Sequence, residues 1–276
     1  NIDFEHIFVN AANGNYQLSD YSQCIGAGTP TGAPSTDING NERPNPSGSN
    51  PDLGAYENEL AAALHNSLIH VATTGNDTGS VGFGSDPFKT IQAAIDYSVH
   101  GDTVFVAAGT YVENISYSGK SISVLGENRE TTIIDGDSSN TVVIFEGGED
   151  ATAILDGFTI RNGNGGILCS GNSSPVISNN YIMENTGING GGIYISARTE
   201  NGENNPLVVD NMIINNNVFG TGWSGKGGGV YCGEGSEAVF ENNIIADNYA
   251  EGQSGGMEFW ISEVNLINNT IVNNSS

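Results

Sequence analysis

The sequence predicts an all-β fold, a parallel β-solenoid, and two phrases recurring through its second half predict it. One is a Gly-Gly pair followed by an apolar strand: Gly165-Gly166-Ile167-Leu168-Cys169, Gly191-Gly192-Ile193-Tyr194-Ile195, Gly228-Gly229-Val230-Tyr231-Cys232 and Gly255-Gly256-Met257-Glu258-Phe259. The other is a polar, mostly Asn-rich turn entering a short strand: Asp156-Gly157-Phe158-Thr159-Ile160, Asn179-Asn180-Tyr181-Ile182-Met183, Asp210-Asn211-Met212-Ile213-Ile214, Asn242-Asn243-Ile244-Ile245-Ala246 and Asn268-Asn269-Thr270-Ile271-Val272. Successive copies of the second phrase lie 23, 31, 32 and 26 residues apart. These cycles are too short for a strand-helix-strand unit with its own helix. They match single turns of a coil of stacked strands with insertions at one corner.

Residues 1–58 carry no copy of either phrase and are dense in turn signals such as Asn13-Gly14, Asn39-Gly40, Arg43-Pro44 and Asn45-Pro46. Residues 59–67 read as an Ala/Leu-rich linker with one or two helical turns. Leu68-Ile69-His70-Val71-Ala72 reads as a strand and residues 73–86 as a polar loop. Residues 87–98 form an amphipathic helix, with Phe88, Ile91, Ala94 or Ile95 and Tyr97 on one stripe and Pro87 near its first turn. Val104 to Ala107, Thr110 to Asn114 and Ile122 to Gly126 then alternate or run apolar between glycines, as solenoid strands do. The solenoid is assigned to 68–276 and is open at its C-terminal end, where Leu266-Ile267-Asn268-Asn269-Thr270-Ile271-Val272 is a full copy of the repeat.

The run from Phe88-Lys89-Thr90-Ile91-Gln92-Ala93-Ala94-Ile95 through Gly101-Asp102-Thr103-Val104, Gly109-Thr110-Tyr111 and Glu113 resembles the helical cap and first rungs of the pectin-lyase-like right-handed parallel β-helix superfamily. That resemblance covers residues 68–276 and implies the right-handed coil. Ser22 to Gly28, Asp37-Ile38-Asn39-Gly40-Asn41-Glu42-Arg43-Pro44 and Pro51-Asp52-Leu53-Gly54-Ala55-Tyr56-Glu57 resemble the closing segment of secreted bacterial β-helix proteins. In those proteins such a segment ends a module; here it stands first. Two explanations fit that order: a window on a long tandem protein, or a unit of a linear head-to-tail assembly.

Composition narrows the function classes. With 37% hydrophobic residues the chain can fill a narrow core, which is all a solenoid has. The net charge of −25 argues against nucleic acid and anionic membrane, both of which call for a basic patch. No stretch approaches a membrane span of about 20 apolar residues. Asn1-Ile2-Asp3-Phe4-Glu5-His6 lacks the basic start and apolar run of a secretory signal, and reads as the interior of a longer protein. Cys169 and Cys232 share a repeat position with Ile195 between them, so they stand two rungs, about 9.6 Å, apart. That exceeds the reach of a disulfide, and both are expected as buried thiols.

Five constellations are candidates for chemistry. The pairs Asn179/Asn180, Asn242/Asn243 and Asn268/Asn269 read as a structural corner, because Asn tolerates left-handed backbone and bonds its neighbours through its amide. Tyr181, Tyr194, Tyr231, Tyr249, Phe259 and Trp260 form a candidate sugar-stacking face if Ile193 and Val230 point inward. Asp37, Asn39 and Asn41 space oxygen donors like the start of a Ca²⁺ loop, but Glu42 and Gly48 stand where an EF-hand needs Gly and Glu. An Asx turn is the competing explanation there. A polysaccharide lyase of the resembling superfamily would require a basic residue beside a neutralised uronate, and Arg161, Arg198 and Lys226 fall at different points of their cycles. A glycoside hydrolase would require two converging carboxylates, for which Asp135/Asp137 or Asp247/Glu251 are on offer.

The resulting expectation is a non-catalytic structural or adhesive module, extracellular or at the cell surface, with no required cofactor and with Ca²⁺ as an option. Its partners are copies of itself or neighbouring modules, with glycans as a further option. The alternative is a fragment of a carbohydrate-active enzyme or a glycan-binding β-helix. Ile7, Phe8, Val9, Tyr16 and Leu18 at one end, and Leu266, Ile267 and Ile271 at the other, are the candidate assembly contacts.

Overall fold

The computed structural model describes residues 8–10, 13–22, 24–196, 204–220 and 224–276. Residues 68–276 wind into three long parallel sheets. The first has eight strands, from Leu68–Val71 to Glu263–Ile267. The second has seven, from Gly109–Val112 to Thr270–Val272, and the third six, from Ile115–Ser116 to Met257–Phe259. Thr186–Gly187, Asn217–Val218 and Tyr249–Ala250 add a short fourth sheet at one corner. Strands pair with those one turn earlier and later, always parallel, giving a right-handed parallel β-helix.

One rung shows how the sequence makes the coil. Val176–Ser178 in the first sheet and Tyr181–Met183 in the second each turn one residue inward, Ile177 and Ile182. Ile193–Ile195 in the third turns two inward, Ile193 and Ile195, because it is entered in the opposite phase. The register stacks Ile160, Ile182, Ile213 and Ile245 directly on one another. β-branched side chains suit this core, since they lose little rotamer freedom on a pleated surface. Each one sealed there contributes roughly 1.5–3 kcal/mol. Four inward residues per rung explain how a chain of modest hydrophobic content closes a continuous interior. The Gly-Gly phrase has a steric cause: a Cβ on Gly192 would lie 2.6 Å from the carbonyl oxygen of Gly229 and 2.7 Å from a methyl of Ile213.

The first rung is closed by a short helix, α1 (Ile91–Tyr97), which buries Ile91, Ala94 and Ile95. It is shorter than the span 87–98 read from the sequence. Phe88 is extended, pairing with Val71, and Thr90 takes the β-region conformation of an N-cap, its side chain accepting from the Ala93 N–H. Two carboxylates hold the start of the helix: Asp77 accepts from the Lys89 and Thr90 N–H groups, and Glu113, from the next rung, accepts from Ile91 and Gln92 at 2.9 Å each. Burial pushes the Glu113 carboxyl up in pKa, against those two bonds. At the other end Lys120 donates to the carbonyls of Ile95 and Asp96.

Before the coil, Phe8–Asn10 and Asn15–Leu18 form an antiparallel pair, and Leu18, Cys24 and Ile25 make a small separate core with Phe8 and Leu60. The expected helical turns in 59–67 are not there. That stretch is irregular and tied on both sides: Leu64 donates to Asp20, His65 meets Asp102 at 2.5 Å, and Asn66 donates to Val81 and Gly82. Tyr21 packs edge-on against Phe83 at 5.2 Å, seating the N-terminal segment against the loop beside the first strand.

Candidate functional site

The polar corner of the coil is built from two asparagine ladders. In each Asn pair the first residue takes the left-handed conformation and the second the ladder position: Asn179, Asp210, Asn242 and Asn268 have φ of 54 to 59°, and Asn180, Asn211, Asn243 and Asn269 stack behind them. Each ladder Oδ1 accepts both the backbone N–H and the side-chain amide of the Asn one rung earlier. Asn211 takes Asn180 at 2.9 and 3.2 Å, Asn243 takes Asn211 at 2.9 and 3.1 Å, and Asn269 takes Asn243 at 2.9 and 3.0 Å. The remaining amide hydrogen returns to a core-strand carbonyl, that of Ile177 for Asn211. Turn backbone that would otherwise be buried unpaired is thereby satisfied.

A second ladder, Asn185, Asn216, Asn248 and Asn274, repeats this geometry at the far end of each second-sheet strand. The sequence reading missed it, although an Asn five residues after each ladder Asn was there to find. The first copy of the Asn phrase was also set one residue out of step. Gly157, not Asp156, holds the left-handed position, and Phe158 occupies the ladder position, its N–H donating to Asn180 22 residues on. Both ladders therefore begin at the rung of Asn180 and Asn185.

The outer faces carry the remaining candidates. With Ile193 and Val230 inward, Tyr194 and Tyr231 point outward, but they stack on each other, 5.3 Å apart and 7° from parallel. Each ring covers one face of the other, and Tyr231 is 9% exposed. Tyr181 lies on the second sheet beneath Arg129, whose guanidinium sits 4.4 Å from the ring centroid, and Tyr249 leans on Phe219. The cations weighed for a lyase do not converge: Arg161 sits on the second sheet, its Nε donating to Asp135 at 2.9 Å, and Lys226 is buried in a turn before the third sheet. Arg198 lies outside the described residues. Burial opposes it, but bonds from the Asp137 N–H, Arg161 and Asn162 hold the Asp135 carboxyl below the usual value.

The last described rung differs from all below it. Leu266 is in register with Phe240, and Ile271 with Ile245; the lower pair is fully sealed, the upper pair 44% and 43% exposed. Ile267, named with them as a candidate assembly contact, is on the outer face in register with Glu241. At the other end Val9 and Tyr16 are exposed, Phe8 packs edge-on against Tyr16, and Ile7 lies outside the described residues. Leu18 is corrected from contact to core, because it is buried with Cys24 and Ile25.

The carboxylate of Asp37 accepts from Asn39, twice from Asn41 and from Glu57, so the proposed Ca²⁺ donors are engaged with one another as an Asx turn. Among the described residues no group of three or more His, Cys, Asp or Glu is placed to hold a metal ion. Cys169 and Cys232 are buried with Ile195 between them in register, and burial pushes the Cys232 thiol up to about 12 and Cys169 higher. Glu149, which the sequence did not single out, is fully buried. It accepts from the Gly119 and Gly147 N–H groups and from the Ser173 hydroxyl. No helix among the described residues is long and apolar enough to cross a membrane.

Parallel three-sided rungs, an Asn corner and a helical cap define a right-handed parallel β-helix. Residues 73–118, which hold the cap with Asp77 and Glu113, match a family described as a protein of unknown function, DUF1565. No curated protein sequence matches the chain. Similar solved structures include a pectin methylesterase from carrot, 18% identical with a TM-score of 0.41, covering 72% of this chain and 63% of its own. A pectin methylesterase variant in complex with a hexasaccharide is 14% identical with a TM-score of 0.48, over 75% of this chain and 67% of its own. Escherichia coli YbhC is 14% identical with a TM-score of 0.47, over 78% and 68%. The chain thus spans under two thirds of the carrot enzyme's length.

Proposed function

We propose that the chain is a non-catalytic structural or adhesive module of an extended extracellular β-helix array, in which residues 1–58 contact a neighbouring module or another copy. The observation that supports this reading is the continuous stack of rungs, filled inside by apolar side chains and bonded along its corners by two asparagine ladders, on which Arg161 and Lys226 stand apart. The N-terminal segment exposes Val9 and Tyr16, an apolar patch for such a contact. One patch meeting a different patch propagates without closing, which makes a line of units. The dispersion of Arg161 and Lys226 favours this reading over a lyase.

The test is deletion of residues 1–58 with electron microscopy and sedimentation of both forms. The full chain is expected to form linear oligomers and the deleted chain to stay monomeric with its β-sheet circular dichroism intact. Identical filaments from the deleted chain, or depolymerisation of a polyuronate or neutral glycan by the purified protein, would overturn the proposal.

A further inference from the structure

The outer face of the second sheet differs in charge from the rest of the coil. Each of its seven strands turns two residues outward, and of these only Asp135 and Arg161 are charged, bonded to each other at 2.9 Å. The first sheet turns out Asp156, Glu237, Glu241 and Glu263 and no Lys or Arg. On a chain of net charge −25 the second sheet thus offers a face without net negative charge. It is also apolar: Val112 and Ile244 are exposed, and Tyr181, Met183, Met212 and Ile214 are half-buried. Methionine gives such a face the pliability of a protein-binding surface. One cation reaches onto it from a turn, Arg129, whose guanidinium lies 4.4 Å from the Tyr181 ring centroid and donates to the Asp210 carbonyl. Arg161 engages Asp135 through Nε, which leaves its two Nη groups for another carboxylate.

We propose that this face pairs with the same face of a second copy, the two coils lying side by side and antiparallel. The inference goes beyond the array reading and does not need it. Two copies repel wherever their acidic surfaces meet, and here they can close without that repulsion. The self-complementary placement has its two-fold axis along the strand direction, between the rungs of Tyr181 and Met212. It lays Tyr181, with Arg129 over it, and Met183 of one copy against Met212 and Ile214 of the other, and six of the seven strands overlap. Arg161, one rung before Tyr181, then stands opposite Ala246, one rung after Met212, with the exposed Asp247 next in sequence. Arg129 meets the exposed Asp210 beside Met212. Symmetry makes each of these ion pairs twice. A two-fold axis along the coil would instead set Arg161 against Thr159, which has no carboxylate. Six rungs span about 24 Å, an interface at the small end of the range, so the pairing is weak for one unit and adds up where units are strung together.

The experiment captures these weak pairs with a crosslinker at high protein concentration. Every chain carries Met212→Cys, near the two-fold axis and away from both ends of the coil, and a bismaleimide of about 10 Å, the spacing of face-packed sheets, joins the new thiols. Cys24, Cys169 and Cys232 are buried and do not compete. The parent is expected to give crosslinked dimers. Arg161→Asp sets an acid against Asp247, and Asp247→Arg sets a cation against Arg161, so each variant alone is expected to lose about tenfold or more in dimer yield with its circular dichroism unchanged. A mixture of the two variants restores both ion pairs in the heterodimer and is expected to recover the parent yield. No dimer from the parent, the parent yield from either variant alone, or a mixture that fails to recover overturns the proposal. So does recovery with Glu184→Arg in place of Asp247→Arg, which would mark another register. Crosslinking at Met212 does not depend on residues 1–58, so its loss and the loss of linear assembly on deleting them fail separately.

Discussion

The two ends of the coil present the same repeat in opposite circumstances. Ile69, in the first strand, is as sealed as any residue in the middle, because α1 and the loop before it close the rung. Leu266, in the same column seven strands later, is nearly half exposed. Both are inward-facing aliphatic residues on a first-sheet strand. Burial here is a property of the rung above or below, not of the residue, as expected when each repeat contacts only its neighbours.

That contrast can be broken by mutation. The largest effect is expected from Ile213→Ala in a central rung, about 2–5 kcal/mol of lost stability in urea unfolding, against under about 1 kcal/mol for Ile271→Ala on the exposed rung. Equal losses would mean that the last rung is covered in solution. Asn211→Ala should follow, at about 2–4 kcal/mol. It leaves the N–H and amide of Asn180 facing an apolar methyl, and hydrogen exchange at Asn180 should accelerate. Asn269→Ala, with no described rung beyond it, should cost about half as much.

At the closed end, Glu149→Leu should remove acceptors from Gly119, Gly147 and Ser173 together and cost about 2–4 kcal/mol, seen as a fall in Tm. A pH test sharpens the role of Glu113. Its folded-state pKa is raised, so its contribution is complete below the ordinary value of 4.5 and is lost as pH rises through the folded value. Hydrogen exchange at Ile91 and Gln92 should therefore carry an extra loss of protection over that window, absent in Glu113→Gln. Asp135 has the opposite sign, its pKa lowered, so its smaller contribution is lost as pH falls. Arg161→Met should cost only about 0.5 kcal/mol, as befits a partly exposed pair.

The coil was legible because Gly192-type crowding and left-handed Asn corners restrict residue identity at fixed points of every turn. The Tyr194/Tyr231 pair was legible as far as its side of the strand, but not its stacking, which depends on the 5.3 Å approach of two rungs. The second ladder was hidden because Glu184, Asn215, Asp247 and Asn273 precede its members, and that variable first residue breaks the Asn-Asn signature while all four take the same left-handed backbone. Phe158 shifted the alignment because a large apolar residue fills a place that Asn holds in every later rung. The start of α1 was misplaced because Phe88 has both a helical spacing and a strand partner, and pairing with Val71 prevails.

The ladders also give the coil a direction. Every Oδ1 faces the rung before it and every ladder N–H faces the rung after it, so the side-chain amides align head to tail along the axis. One face of any rung is a row of hydrogen donors and the opposite face a row of acceptors, made of neutral groups that neither salt nor pH disturbs. An acidic surface answers to ionic strength; this internal rail does not. Lengthening the coil is thus a one-way, charge-free operation, and two such coils cannot meet donor face to donor face.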